Sequence, residues 1–237
     1  MVKKYKKDGN TSYALGATVT IELLKRRPEL ARAVYISPRS DIAAATELAN
    51  KLGVRTETSE KPFNILSPKG NCFVIGEFDK FASPINSDKH HIVLVNPSDS
   101  GNLGTIMRDV AAFDCAELAI IKPAVDPFDP KTIRASMGAL FNINFELFDS
   151  FDEYLKTRGA VHNVMPFMLA RNGKKFGDTR FAANEKYSLV FGNEATGLDK
   201  MFEKYGAVMI EQSEKADSLN LSTAVAVAMY KLMQTEN

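Results

Sequence analysis

The 237-residue chain has only two cysteines, Cys72 and Cys115, far apart and with no CxxC spacing. That excludes a disulfide scaffold and a cysteine-based zinc site, and reduced, buried thiols in a cytoplasmic protein are expected. Long apolar runs are missing too. Stretches such as residues 92–95 are far too short to cross a bilayer, so no transmembrane helix and no membrane partner are expected. The opening MVKKYKKDGNTSYALGA is basic, but no sustained apolar segment or small-residue cleavage site follows, so it does not read as a secretory signal. Histidine is scarce: His90, His91 and His162 fall at no ligand spacing, the first two read as linker residues, and no metal is expected. There is no Gly-Lys-Ser/Thr phosphate loop, no GxGxxG, no internal repeat and no low-complexity segment.

What remains is an ordinary globular balance of 45% hydrophobic and 25% charged residues, with a length that suits one large domain or two smaller ones. The net charge of +1 conceals an asymmetry. Residues 1–90 carry 15 Lys+Arg against 10 Asp+Glu, and residues 91–237 carry 15 against 19. A basic front half is compatible with contact to a phosphate backbone, although an ordinary solvated surface explains it equally well.

Periodicity predicts an amphipathic helix over residues 11–26, a strand over 33–37, a helix over 41–52 closed by Gly53, and strands over 54–58 and 72–75. Residues 59–70 read mostly as loop, and the polar stretch 81–91 as a domain boundary. Beyond it, strands at 92–95, 117–121, 144–147, 161–165, 189–191 and 208–210 alternate with helices that include 103–113, 149–157 and 219–234. That order predicts an α/β fold with a largely parallel sheet covered on both faces.

Three segments carry chemistry. NPSDSGNLGTIMRDVAAFD, residues 96–114, is a strand-to-helix turn in which Gly101 and Gly104 free the backbone and Arg108 follows on the helix. LVFGNEATGLD, residues 189–199, ends a strand in a turn at the position where α/β proteins bind ligands. IEQSEKADSLNLSTAVAVAMYKL, residues 210–232, opens a long apolar helix with more polar side chains than one cap requires, although Ser218 or Asn220 also suits a simple N-cap.

In this order the segments resemble the three motifs of the SpoU/TrmH RNA ribose methyltransferases of the SPOUT class. The resemblance rests on Asn102, Leu103, Gly104 and Arg108; on Gly192, Glu194 and Gly197; and on Ser218, Leu219, Asn220 and Ser222. DPKTIRASMGALF, residues 129–141, is similar to a fourth family segment. Two positions depart from the common pattern: Glu211-Gln212 stands where many members have Pro-Met, and Asp109 where Thr or Ser is usual.

The resemblance implies a C-terminal trefoil-knot domain over residues 90–237 and a small α/β domain over residues 1–85, similar to a ribosomal-protein-like RNA-binding domain. It implies S-adenosylmethionine as cofactor, held mainly by backbone groups of Gly192, Ile210 and Leu219, with Ala170 a further candidate. It also implies a homodimer and methyl transfer to a ribose 2′-hydroxyl, with ribosomal RNA favoured over transfer RNA. Arg108 is the base of the family proposal, but a guanidinium is almost never deprotonated in proteins, so pairing with an RNA phosphate is the role expected of it. Asn102, Glu194, Ser218 and Asn220 would form the polar network around it. A dimeric RNA-binding protein of the same fold without methyl transfer is the alternative, and it would be expected to have lost those side chains.

Overall fold

The computed structural model describes every residue except 1, 40–42, 69, 170–172, 214, 216 and 235–237. Its contacts divide the chain into two units: one takes residues up to Ala82 together with Asp126–Asn142, the other Ser83–Val125 together with the chain from Ile143 onward. The division falls near the polar stretch 81–91, but the segment similar to the fourth family motif packs with the first unit.

The first unit is a four-stranded sheet. Its elements are β1 (Thr11–Leu15), α1 (Ala17–Arg26), β2 (Ala31–Ile36), α2 (Ala43–Lys51), β3 (Thr56–Thr58), α3 (Lys61–Leu66) and β4 (Val74–Asp79). The strand order is β1-β4-β2-β3, antiparallel except for β2 with β3. The single helix expected over residues 11–26 is a strand and a helix. Gly16, at φ 112 and ψ 155, takes a conformation that L side chains rarely adopt and turns the chain between them. Tyr13, Ala14 and Leu15 are buried along β1, while Val19, Leu23 and Leu24 form the buried stripe of α1. The loop expected over 59–70 contains α3. Pro62 stands in its first turn, where a missing N–H costs nothing, and Phe63 anchors it, 1% exposed, among Tyr13, Tyr35 and Ile75. The helix expected from residue 41 is described from Ala43; positions 41 and 42 lie outside the described residues.

In the second unit, β5 (His90–Val95), α4 (Ser100–Phe113) and β6 (Ala116–Ile121) come first. The chain then contributes Asp126–Asn142 to the first unit, including α5 (Pro130–Ala135). There Ser12 Oγ donates to Phe128 O (2.5 Å), Arg134 donates to Asn71, and Phe141 meets Phe78 edge-on at 5.0 Å. The second unit resumes with β7 (Phe145–Phe148), α6 (Phe151–Thr157), β8 (Asn163–Pro166), β9 (Lys174–Lys175), β10 (Tyr187–Phe191), β11 (Val208–Met209) and α7 (Leu221–Met233). Five strands form a wholly parallel sheet in the order β7-β6-β5-β10-β8. Residues 208–210, expected as a strand of that sheet, instead supply β11, which pairs in parallel with β9 and meets the segment after β8 at a single bridge, Phe167 with Val208. The core on one face joins Val93, Ala119, Phe148, Phe151, Tyr154 and Phe202, while α7 packs on α4.

His90 and His91 are not linker residues. Both are buried at the start of β5. His91 lies 2.8 Å from the Tyr154 hydroxyl and 3.0 Å from Asn86 O; His162 lies 3.0 Å from Ser188 Oγ and 2.8 Å from Ser87 O, so both ring nitrogens of each are bonded. Burial pushes His91 down to about 3 and His90 down to about 4, so these rings are neutral at neutral pH. Among the described residues, no helix is long and apolar enough to cross a membrane, and no group of three His, Cys, Asp or Glu is placed to hold a metal.

Candidate active site

The strand order reverses between β5 and β10: later strands on one side run through β6 to β7, while β10 and β8 lie on the other. Such a switch point leaves a crevice beyond the carboxyl ends of the two strands, where α/β proteins bind ligands. The first and second sequence segments meet there.

Beyond β5, Asn96 turns the chain at φ 55 and Asp99 caps α4, its Oδ1 accepting from Asn102 N (2.7 Å). Beyond β10, Asn193 builds a turn by accepting from Ala195 N and Thr196 N, and its Nδ2 donates across to Asn96 O (2.8 Å). Glu194 closes the crevice. Its Oε2 accepts from Ser98 N (3.0 Å) and Ser98 Oγ (2.7 Å), and its Oε1 from Asp99 N (3.2 Å) and Asn102 Nδ2 (3.3 Å). Burial alone would raise this carboxyl, but the donors from Ser98 and Asn102 outweigh it and hold the group below the ordinary glutamate range.

The third segment joins through Asn220. Its Oδ1 accepts from Ser222 N (2.9 Å) and so caps α7, while its Nδ2 donates to Asn102 Oδ1 (3.0 Å). One amide therefore serves both as the N-cap and as part of the network. Glu194, Asn102 and Asn220 form a continuous chain of hydrogen bonds across residues distant in sequence.

Beside this chain lies a cavity of about 420 Å³, lined among others by Phe167, Phe191, Gly192, Glu194, Ile210, Ser218 and Leu219. Gly192 sits under backbone: a Cβ there would lie 2.2 Å from Gly197 C and 2.4 Å from Leu198 N. Rigid main chain cannot yield to such an overlap, so the floor of the cavity requires glycine.

Of the sequence-derived candidates, Asn102, Glu194 and Asn220 are brought into one network, and Gly192, Ile210, Leu219 and Ser218 onto one cavity wall. Ala170 lies outside the described residues; its neighbours Phe167, Met168 and Leu169 line the cavity. Arg108 stands apart. It is exposed on α4, roughly 9 Å along the helix from Asn102 by helical rise, and makes no hydrogen bond or ion pair among the described residues. Next to it Asp109 carries a buried carboxylate oxygen with no hydrogen-bond partner among the described residues, and burial raises this carboxyl despite the adjacent guanidinium. Sequence reasoning did not find Ser98, Asp99 and Asn193. An Asp three residues before Asn102, at the start of an apolar-periodic run, is the capping signal that identifies Asp99; for Ser98 and Asn193 no local signal exists.

A parallel α/β unit with its polar network and glycine-floored cavity at the switch point defines a ligand-binding enzyme-like site. Similarity to known proteins gives the family: the SpoU rRNA Methylase family model matches residues 89–230, and the chain belongs to that family. A 23S rRNA (uridine(2479)-2′-O)-methyltransferase from Streptomyces viridochromogenes is 26% identical over 218 residues, 90% of this chain and 72% of that protein. The tRNA (cytidine/uridine-2′-O-)-methyltransferase TrmJ of Salmonella typhimurium is 32% identical over 151 residues, 60% of this chain and 62% of that protein. In fold, the chain is similar to an AdoMet-bound rRNA methyltransferase from Sinorhizobium meliloti, with a TM-score of 0.79 at 24% identity over 95% of this chain and 87% of that one.

Proposed function

We propose that this chain is an S-adenosylmethionine-dependent RNA methyltransferase acting on a ribose 2′-hydroxyl, with ribosomal RNA favoured over transfer RNA, and that it works as a homodimer. The observation that carries the reading is the junction of the Gly192-floored cavity with the Asn102–Glu194–Asn220 network at the switch point. The rRNA preference is supported by the relative that spans 90% of the chain, an rRNA 2′-O-methyltransferase by name.

The residues present fit the cofactor. The cavity combines Phe167 and Phe191 with carboxylate and hydroxyl groups, which suits a ligand that has both an adenine ring and a charged amino-acid end. Ile210 and Leu219 line the cavity beside Gly192, so their main-chain groups are placed to hold it. Bound there, S-adenosylmethionine supplies an electrophilic methyl group on a sulfonium. Glu194, kept ionised by its donors, fixes the β5 loop and with it Asn102. Asn102 and Asn220 hold each other and leave Ser218 at the cavity rim. Arg108 binds an RNA phosphate through its planar fork and so orients the ribose for in-line attack. Within one chain Arg108 is apart from the network, the arrangement expected of a site completed across two copies. Val227 and Tyr230, 41% and 53% exposed on α7, supply an apolar face for that contact.

The test is transfer of labelled methyl groups to purified rRNA and tRNA, with mass mapping of ribose methylation. Arg108→Ala and Arg108→Lys should each lose about 100-fold or more in turnover with cofactor affinity nearly unchanged, because an ammonium lacks the two-pronged geometry. Near-normal turnover of the Ala variant would remove Arg108 from the chemistry. Absence of methylation in every RNA would remove the function.

A further inference from the structure

The first unit carries a basic segment that the proposed chemistry does not use. Residues 3, 4, 6 and 7 are lysines, all exposed, and no ion pair joins any of them to a carboxylate among the described residues. A polar, lysine-rich segment with few apolar residues ordinarily stays unordered. This one is tied down by its backbone and by the residues between the lysines.

Val2 and Tyr5 turn inward and pack against the cluster of Tyr13, Tyr35, Phe63 and Cys72. The Tyr5 hydroxyl donates to the Asp126 carboxylate. The Tyr13 hydroxyl donates to Lys3 O (2.9 Å). Lys80 Nζ donates to Lys7 O (2.6 Å) and Lys6 O (3.4 Å), and its ammonium lies 4.7 Å from the centre of the Tyr5 ring. Lys80 is thus a cation that secures the strap through carbonyl oxygens rather than by pairing with an acid.

The result is five ammonium groups in one short region, four of them presented to solvent from a fixed backbone. The carboxylates nearest Tyr5 are Asp126, Asp129 and Asp8. Asp126 accepts from Tyr5 and from Phe128 N, and Asp129 caps α5 through Lys131 N, so three carboxylates held by neutral donors or by none stand against five ammonium groups. Holding like charges together costs free energy in the isolated protein, and a polyanion relieves that cost.

We propose that the strap of Lys3, Lys4, Lys6 and Lys7, pinned by Tyr5, Tyr13 and Lys80, is a binding surface for the phosphate backbone of structured RNA. The inference rests on the reading that the chain acts on RNA. Its contacts are to phosphates, so it adds affinity and orientation rather than base specificity. Preorganisation by the pins reduces the ordering cost that a loose lysine tail would incur on binding.

The experiment measures binding of purified rRNA fragments and tRNA to the full chain as a function of salt, using two variants. The first replaces all four lysines with glutamine (Lys3→Gln, Lys4→Gln, Lys6→Gln, Lys7→Gln) and leaves the backbone pins intact. Four lost phosphate contacts should flatten the slope of log affinity against log salt by about 3, so that the native chain loses about 50- to 150-fold more affinity than the variant between 50 and 200 mM salt. The second variant, Tyr5→Phe with Tyr13→Phe, keeps every positive charge and removes two of the pins, the hydroxyls on Asp126 and on Lys3 O; it should bind a few-fold more weakly with an unchanged slope. Cofactor binding should be native in both, which reports that they fold. A four-lysine variant with native affinity and slope, in a protein that methylates RNA, overturns the strap and leaves the function standing. A native chain that binds neither RNA overturns both. Binding to phosphatidylglycerol vesicles in place of RNA also overturns the proposal.

Discussion

Replacing Glu194 with glutamine changes one oxygen into an amide nitrogen and leaves the shape of the side chain nearly intact, so it tests whether the carboxylate holds the crevice by charge and acceptor count. Both oxygens face donors: Oε2 faces Ser98 N and Ser98 Oγ, Oε1 faces Asp99 N and Asn102 Nδ2. Either orientation of the amide therefore points an N–H at a backbone N–H. Turning the Asn102 amide to accept does not help, because its oxygen already receives Asn220 Nδ2. The least costly arrangement puts the amide nitrogen beside Ser98, reverses the serine hydroxyl, and leaves Ser98 N facing a donor. One such mismatch together with the lost charge costs about 2 kcal/mol, and for a chain of this length about 4–8 °C in melting temperature.

Glu194→Ala admits water to the exposed donors of Ser98 and Asp99, so the isosteric variant should be no more stable than the truncated one. The pH dependence gives a second readout. The folded carboxyl is held below the ordinary value of about 4.3, so its contribution is complete above that pH and is lost as pH falls through the folded value. The stability gap between native protein and Glu194→Gln should therefore close in acid. Thermal melts at pH 7 and in steps below pH 4 measure both effects, and methyl transfer to RNA should fall with the loss of the Asn102 anchor. A glutamine variant as stable as the native protein at pH 7 would refute the acceptor argument.

Gly192→Ala would drive a Cβ to within 2.2 Å of the Gly197 main chain, so cofactor binding measured by calorimetry should fall to background, and near-native affinity would contradict the cavity floor. The buried neutral histidines make stability fall as pH drops from about 6.5 toward their depressed folded values, by up to about 1.4 kcal/mol per pH unit for each ring; urea unfolding at pH 7 and pH 5 checks this, and equal stability at the two would be the contrary result. Lys231 Nζ donates to the carbonyls of Phe176 and Gly177, so Lys231→Met should speed amide exchange across residues 174–180 and leave β5 and β6 unchanged, as mass-detected hydrogen exchange would report.

The strands of the parallel sheet were readable because each is a short apolar run closed by Gly, Asn, Asp or Pro. Residues 11–26 misled because Leu15, Val19 and Leu23 fit helical spacing across Gly16, whose positive φ is invisible to a periodicity argument. The histidines misled because polarity stood in for exposure, whereas Tyr154 and Ser188 provide partners from distant elements. Asn102, Glu194 and Asn220 were legible as motif positions. That Glu194 would meet Ser98 and Asp99 was not, since the contact follows from β5 lying beside β10, a property of sheet order rather than of either segment.

The excursion of residues 126–142 into the first unit bears on how the protein is made. A ribosome finishes β4 long before it reaches Phe141, the ring that meets Phe78. At about 5–20 residues per second, the nascent first unit waits several seconds with that face uncovered while β5, α4 and β6 emerge. Its final layer arrives from within the coding sequence of its neighbour. A cut after residue 85 consequently does not release the first unit whole. It would strand Phe128, Ile133, Leu140 and Phe141 without the sheet they cover, whereas a shortened chain that joins residues 1–82 to 126–142 through a short linker keeps that layer in place.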